Sequence, residues 1–302
     1  MTPPEPSPTE ASTEHPGFGG LPAEFRDSKT ADIAILPVPY DLTSSWKKGA
    51  DRGPAALIEA SKNMELYDIP TDTEVYRRGI MTHEPIDHSG DPEKLADLVD
   101  AAWTRQAEAG RFPVVIGGEH SVSIGAIRAA ARRHENLTVL QIDAHGDTRD
   151  RYDGSKFNHA CVMARAAEWC STTQVGIRAI DFDELDNLND DRVFYGHTIS
   201  RARYAGSDRW MDDVLLTLDE NVYVTIDLDA FDPSVLPATG TPEPDGLTWH
   251  EVNELLERVC ASRRVVGFDV VELLPHEAHW ASDFLAAKLV YRFLSMVFAQ
   301  RD

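Results

Sequence analysis

Short apolar runs rich in β-branched residues alternate with longer amphipathic stretches along almost the whole chain. The runs at 33–36, 79–81, 112–116, 137–142, 174–177, 193–195, 222–226 and 265–271 read as strands. Most are apolar throughout, as in strands of a parallel sheet buried on both faces. Between them lie segments with helical periodicity at 53–62, 92–110, 122–133, 159–169, 207–218, 249 onward and 282–298. In the second of these, Leu95, Leu98, Val99, Ala102 and Trp103 line one face and Gly110 marks the stop. Thr248 reads as an N-cap for a helix carrying Val252, Leu255, Leu256 and Val259 on one side. The last helix sets Leu285, Leu289, Phe293 and Val297 in register, and Pro54 opens the first. Residues 37 and 39 are prolines and are expected to stop the first strand, while 181–192 reads as polar loop. The alternation implies an α/β fold with a mainly parallel sheet covered by helices on both faces. No linker or repeat divides it, so 29–302 is expected to be one domain. Residues 1–28 are rich in Pro, Ser, Thr, Glu and Gly and are expected to form a disordered or loosely draped extension.

Composition narrows the partners. The chain has 302 residues, 42% of them hydrophobic, and a formal net charge of −22. Such a charge disfavours nucleic acid, which needs a basic footprint, and suits a small cationic substrate. A solvated acidic surface, salt-adapted or otherwise, is the competing explanation. No apolar run reaches the roughly 18 residues of a membrane span, and the first residues lack the basic and apolar segments of a signal peptide. A cytoplasmic location without membrane contact is expected. The cysteines, Cys161, Cys170 and Cys260, are scattered and odd in number and make no disulfide framework.

Chemistry concentrates at strand ends. The strand 112–116 runs into Gly117-Gly118-Glu119-His120-Ser121, and 137–142 into Asp143-Ala144-His145-Gly146-Asp147. The strand 222–226 runs into Asp227-Leu228-Asp229-Ala230-Phe231-Asp232-Pro233, and 265–271 ends at Glu272. Taken alone, the second cluster has an acidic loop as its alternative reading. If the chain stays extended there, Asp143, His145 and Asp147 project the same way, because side chains alternate along a strand. Ligands of open α/β sheets bind outside the carboxyl ends of the strands, where all four ends lie. Six groups, His120, Asp143, His145, Asp147, Asp227 and Asp229, are more than one cation requires. Two divalent cations about 3.5–4 Å apart fit a hydrolytic centre. Oxygen-rich ligation with imidazole and no thiolate favours two Mn²⁺, with Ni, Co or Zn as alternatives.

These three motifs resemble the signatures of the ureohydrolases, the arginases, agmatinases and related guanidino hydrolases. The resemblance runs from Pro37-Val38-Pro39-Tyr40 to the segment 283–289. It implies a three-layer α/β/α fold, a binuclear manganese site and a homotrimer or homohexamer. By this resemblance His120, Asp143, Asp147 and Asp227 hold one metal, and Asp143, His145, Asp227 and Asp229 the other. Asp147 also orients the bridging hydroxide. Glu272 corresponds to the carboxylate that pairs with the substrate guanidinium, and His159 to an active-site histidine that protonates the leaving amine. Asp232 is expected to brace its turn. The implied reaction releases urea and an amine.

What the guanidinium is attached to depends on the loop after Asp147. Ser155 matches a residue with which arginases read the amino-acid end of arginine, whereas Arg149 and Phe157 stand where asparagines would be expected. Those departures, with the segment 239–244, resemble the agmatinases, so agmatine, giving putrescine and urea, is the first expectation. Arg149, Arg151 and Lys156 are also placed to receive a carboxylate. Guanidinobutyrate, guanidinopropionate, guanidine and arginine therefore stand as alternatives, and a catalytically inactive metal-binding homologue as another. Single-zinc deacetylases share the fold but would be expected to carry adjacent histidines, which this chain lacks.

Overall fold

The eight apolar runs all become strands. A computed structural model describes residues 17–86 and 90–301. The strands are β1 (Ile33–Val38), β2 (Ile80–Thr82), β3 (Phe112–Gly117), β4 (Leu137–Ile142), β5 (Ser171–Ile177), β6 (Val193–Tyr195), β7 (Asn221–Asp227) and β8 (Arg264–Val271). They form one 8-stranded sheet in the order β2-β1-β3-β8-β7-β4-β5-β6. Every pairing is parallel. β1 passes through Pro37, in register with Ile116 of β3, and ends at Val38 just before Pro39, so only the second proline stops it.

Helices cover both faces. Helices α1 (Gly53–Ser61), α5 (Gly196–Tyr204), α6 (Arg209–Thr217), α7 (Trp249–Ser262) and α8 (Ala281–Ala299) contribute to one apolar core, together with Ile33, Ile35, Ile116 and Phe268 from the strands. Helices α2 (Pro92–Glu108), α3 (Ser123–Arg133) and α4 (Val162–Ala166) build the other, against Leu36, Val38, Val115 and Val139. Neighbouring strand residues thus divide between two cores, and each large side chain so buried contributes about 1.5–3 kcal/mol. Thr248 caps α7 as expected, with Glu251 returning the bond to its backbone.

Three expectations need correction. Residues 17–28, assigned to a disordered extension, are packed from Gly17 onward. Phe18 and Leu21 are buried in the core, and Phe25 meets Tyr76 edge-on at 5.0 Å. A few apolar residues in a polar stretch suffice to anchor it; residues 1–16 lie outside those described. The helix expected over 159–169 is a 3₁₀ turn, His159–Cys161, followed by the short α4. The loop expected over 181–192 folds as 3₁₀ turns at Phe182–Asn187 and Asp190–Arg192.

Candidate metal centre and active site

The four strands that end in candidate ligands, β3, β8, β7 and β4, are neighbours in the middle of the sheet. Their carboxyl ends therefore open onto one place. At the end of β3 the backbone must pass close to β1: a Cβ on Gly118 would sit 2.0 Å from the Tyr40 carbonyl oxygen, so only glycine fits. The amides of Gly118 and Glu119 donate to Val38 and Tyr40, which delivers His120 to the sheet edge.

The β4 cluster converges by turning rather than by staying extended. The strand ends at Ile142, and Asp147 takes a left-handed conformation with φ 52°. Its carbonyl then accepts from the amides of Met163 and Ala164 at the start of α4, which holds the turn. The result is two groups of donors. His120 Nδ1 lies 3.2 Å from Asp143 Oδ2, 3.0 Å from Asp147 Oδ2 and 3.4 Å from Asp227 Oδ2. His145 Nδ1 lies 2.9 Å from Asp229 Oδ2 and 3.7 Å from Asp143 Oδ1. Asp143 belongs to both groups, each of which could hold a metal ion.

Buried polar residues inside the strands aim these candidate ligands. His120 Nε2 is 2.9 Å from Thr225 Oγ1, and the Thr225 hydroxyl donates to Asp269 at 2.7 Å. With its proton committed to Asp269, Thr225 accepts from Nε2–H, leaving the Nδ1 lone pair facing the carboxylates. Tyr223 donates to the other Asp269 oxygen at 2.8 Å. Similarly, Gln174 donates to Gln141, and Gln141 donates to Asp143 Oδ2 at 2.7 Å. Arg178 gives its N–H groups to the carbonyls of Gly176, Asp229, Ala230, Phe231, Glu243 and Pro244, tying the β7 end to the following loop. Asp232 accepts from Ser234 and from the Gly246 amide, the bracing expected of it.

The electrostatics call for a cation. Burial and the neighbouring Asp229 and Asp143 push the Asp227 carboxyl well above its usual range, and burial raises Asp147 to about 6. Burial works to lower the His120 ring, yet Asp143 and Asp147 lift it far above the ordinary imidazole range. His120 Nδ1 is buried and has no hydrogen-bond partner. A ring nitrogen of this kind, aimed at three carboxylates, fits a divalent cation, which would relieve the crowded charge and take up the nitrogen lone pair.

Beside these ligands lies a cavity of about 440 Å³, lined by His120, His145, Asp147, Asp227, Asp229 and Glu272 and, from the loops, by Arg149, Tyr152, His159 and Asp181 among others. Glu272 is left-handed at φ 65°, a conformation that costs a long side chain about 1–2 kcal/mol. Its amide donates to Gly118 at 2.7 Å and its Oε1 accepts from the His120 amide at 2.8 Å, so the strained turn is held on both sides. Burial, together with Glu119 and Asp229, raises its carboxyl well above the usual range. His159 lines the cavity but does not titrate near neutrality as its residue type suggests: burial, with His120 and His145 nearby, lowers it to about 4.

The expected substrate-reading loop is organised differently. Arg149 reaches the cavity, but its guanidinium is bound to Glu184 at 3.1 Å and Asp181 at 3.0 Å and lies over the Tyr152 ring. Arg151 donates to the Gly154 carbonyl and Lys156 pairs with Asp150. Ser155 does not line the cavity: it pairs with Tyr152 through the backbone, and its hydroxyl accepts from the Phe157 amide. The sequence reading missed Thr43, Tyr152, Asp181, Glu184, Thr225 and Asp269. Of these, Asp269 left a signal, a lone carboxylate inside the apolar run of β8.

The profile of the Arginase family matches residues 31–295. The chain is 37% identical over 296 residues to an N(1)-aminopropylagmatine ureohydrolase of Synechocystis, with 92% of this chain and 94% of the relative covered. It is 33% identical to an agmatinase of Pyrococcus horikoshii, over 89% and 93% of the two chains. Among solved structures, the agmatine ureohydrolase of Thermoplasma volcanium superposes with a TM-score of 0.81 at 31% identity, covering 90% of this chain and 91% of that one. Its fold, its ligand-bearing strand ends and this extent of similarity place the chain in the arginase family of ureohydrolases.

Proposed function

We propose that the chain hydrolyses the guanidino group of a linear substrate with a cationic tail, with agmatine as the first candidate, releasing urea and putrescine. The observation that carries this reading is the cavity itself. Glu272 faces it beside the His and Asp groups, while Arg149, the loop cation that lines it, is already paired with Glu184 and Asp181. A carboxylate on the substrate tail would find Arg149 already held by two carboxylates, and Arg151 and Lys156 outside the cavity lining, which disfavours guanidino acids and arginine. Relatives named agmatinase and N(1)-aminopropylagmatine ureohydrolase support a cationic tail. Because the latter stand at 37% and 36% identity, aminopropylagmatine is the second candidate.

His120, Asp143, Asp147 and Asp227 are assigned to one metal, and Asp143, His145, Asp227 and Asp229 to the other, with manganese as the expected ion. When bound, the pair would supply an activated water near neutral pH and offset the clustered carboxylates. The protein supplies the rest. Glu272 pairs with the planar guanidinium through two charge-assisted hydrogen bonds and sets its carbon beside the ligand cluster. Asp147 accepts a hydrogen bond from the attacking water and orients it. His159, neutral at pH 7 because its pKa is about 4, takes a proton on its ring as water adds. It then passes that proton to the amine nitrogen as the carbon–nitrogen bond breaks. Water and the guanidinium are thus converted to urea and the protonated amine.

The test is urea release after reconstitution with Mn²⁺ or Ni²⁺, using agmatine, aminopropylagmatine, arginine, guanidinobutyrate, guanidinopropionate and guanidine. Agmatine or aminopropylagmatine should lead. Preference for a guanidino acid would refute the cationic-tail reading, and no urea from any of them would refute hydrolysis. The assembly is proposed to be a trimer or hexamer, which light scattering resolves. Among the described residues no helix is long and apolar enough to cross a membrane.

A further inference from the structure

We infer that Thr43, outside the three motifs, is a positioning residue that fixes the ring of His159, and that Glu119 holds Thr43 in place. The arrangement follows from the sheet. Because β1 and β3 run in parallel register through Val38 and Gly117, the chain leaving β1 at Tyr40 stays beside the Gly118–Glu119 backbone. The loop that follows is stiffened by Asp41, which accepts from Ser44, from the Gly49 amide at 2.6 Å and from the Ala50 amide at 3.1 Å. This sets Thr43 between Glu119 and His159.

The Thr43 hydroxyl donates to Glu119 Oε1 at 2.9 Å, and its oxygen is 3.0 Å from the His159 amide and 3.2 Å from His159 Nδ1. Glu119 is fully buried and also accepts from the Ser121 hydroxyl and the Ser121 amide, each at 2.8 Å, and from the Thr43 amide at 3.4 Å. A threonine hydroxyl has one proton and two lone pairs. With the proton on the Glu119 bond, both lone pairs are left to accept, one from the His159 amide and one from Nδ1–H. That selects the Nδ1–H tautomer and leaves Nε2 as the basic nitrogen on a ring that lines the cavity. Glu119 thereby has a task separate from that of His120 beside it: it links the end of β3 to the proton-handling histidine through Thr43.

The inference rests on the reading of His159 as the proton relay, so its test has one arm that needs no activity. Crystal structures of the parent and of Thr43→Val should show His159 Nδ1 within hydrogen-bond distance of Thr43 in the parent and a rotated or multiply placed ring in the variant. An unchanged single ring orientation in Thr43→Val would overturn the inference. In the kinetic arm, Thr43→Val should lower kcat about 10- to 100-fold, part of the 100- to 10,000-fold that a placed acid–base group contributes. KM should change less than about threefold, two metals per chain should remain, and Thr43→Ser should restore kcat to within about threefold of the parent. In a His159→Ala background the same change should cost nothing further. A loss of equal size there, a kcat for Thr43→Val within about twofold of the parent, or a loss accompanied by metal release would each show that Thr43 does not act through His159. If His159→Ala alone keeps full kcat, the relay reading fails, and the crystallographic arm still decides whether Thr43 holds the ring.

Discussion

Glu272→Gln separates recognition of a guanidinium from everything else the site does. The glutamine keeps the length of the side chain and one carbonyl oxygen, which can go on accepting from the His120 amide, now at 2.8 Å. The strained turn at φ 65° is therefore still held, and none of the assigned metal ligands is touched. What changes is the group presented to the substrate: one acceptor oxygen becomes an NH₂, a donor facing a guanidinium that can only donate. Of two charge-assisted hydrogen bonds at about 1.5–3 kcal/mol each, one is reversed and the other loses its charge assistance, a loss of up to about 3–6 kcal/mol. Some of that returns as the substrate shifts toward the remaining oxygen, so kcat/KM for agmatine should fall about 100- to 10,000-fold. The folded protein should not suffer. Burial and the neighbouring Glu119 and Asp229 already raise the Glu272 carboxyl, so removing its charge should leave the melting temperature equal or higher. Urea release, elemental analysis and thermal unfolding together read the prediction. A kcat/KM within about fivefold of the parent, with two metals present, would refute Glu272 as the guanidinium partner; a fall that tracked metal loss would assign it to the metal site instead.

Two further outcomes follow from individual contacts. Asp143 serves both donor groups, and its oxygens accept from the His145 amide at 2.6 Å and from Gln141 at 2.7 Å. In Asp143→Asn the new NH₂ must confront one of those donors, so at least one metal should be lost; two full metals per chain by elemental analysis would contradict the shared role. His134, far from the site, gives a stability prediction. Burial, with Arg264 and Arg133 nearby, lowers its ring from 6.5 to about 4. Between those values the unfolded chain binds more protons than the folded one, so stability falls as pH drops from 6.5 toward 4. The full shift would amount to about 3 kcal/mol, which solvent screening at this half-buried ring reduces to about 1–2 kcal/mol. Urea denaturation at pH 7 and pH 5 should show that loss in the parent and a smaller one in His134→Gln; equal losses would dismiss His134 as the cause.

The parts of this fold that were legible in the sequence are those written by local pattern. Every strand has an apolar run long enough to see, and the candidate ligands follow their strands within a few residues. Helix α5 was missed because it opens at Gly196 and sets only Gly196, Ile199 and Ser200 into the interior, so no apolar stripe recurs along it. The strained turns at Asp147 and Glu272 were equally hidden, since partners distant in sequence hold them, in α4 for the first and at Gly118 and His120 for the second. The fate of Arg149 could not be read at all. Whether that side chain meets a substrate or a carboxylate of its own chain depends on Asp181 and Glu184, which lie beyond β5 and come alongside through the sheet.

That last contact bears most directly on specificity. The end of β4 and the 3₁₀ turn after β5 meet because β4 and β5 are neighbours, paired from Thr138 to Ile142 against Ser171 to Val175. The pairing extends beyond the strands through the bridge between His145 and Ala179. One adjacency therefore does two things: it seats His145, a candidate metal ligand, and it brings Glu184 and Asp181 to Arg149. Glu184 also accepts from the Thr148 amide and hydroxyl, each at 3.2 Å, so it grips the residue next to Asp147 as well as Arg149. On the proposed reading, the choice of substrate tail and the candidate metal centre would share this one sheet edge. If the proposed reading holds, a change of specificity toward guanidino acids should follow from releasing Arg149 from Glu184 without loosening the Asp147 turn, and urea release from guanidinobutyrate by a Glu184→Gln variant would check it.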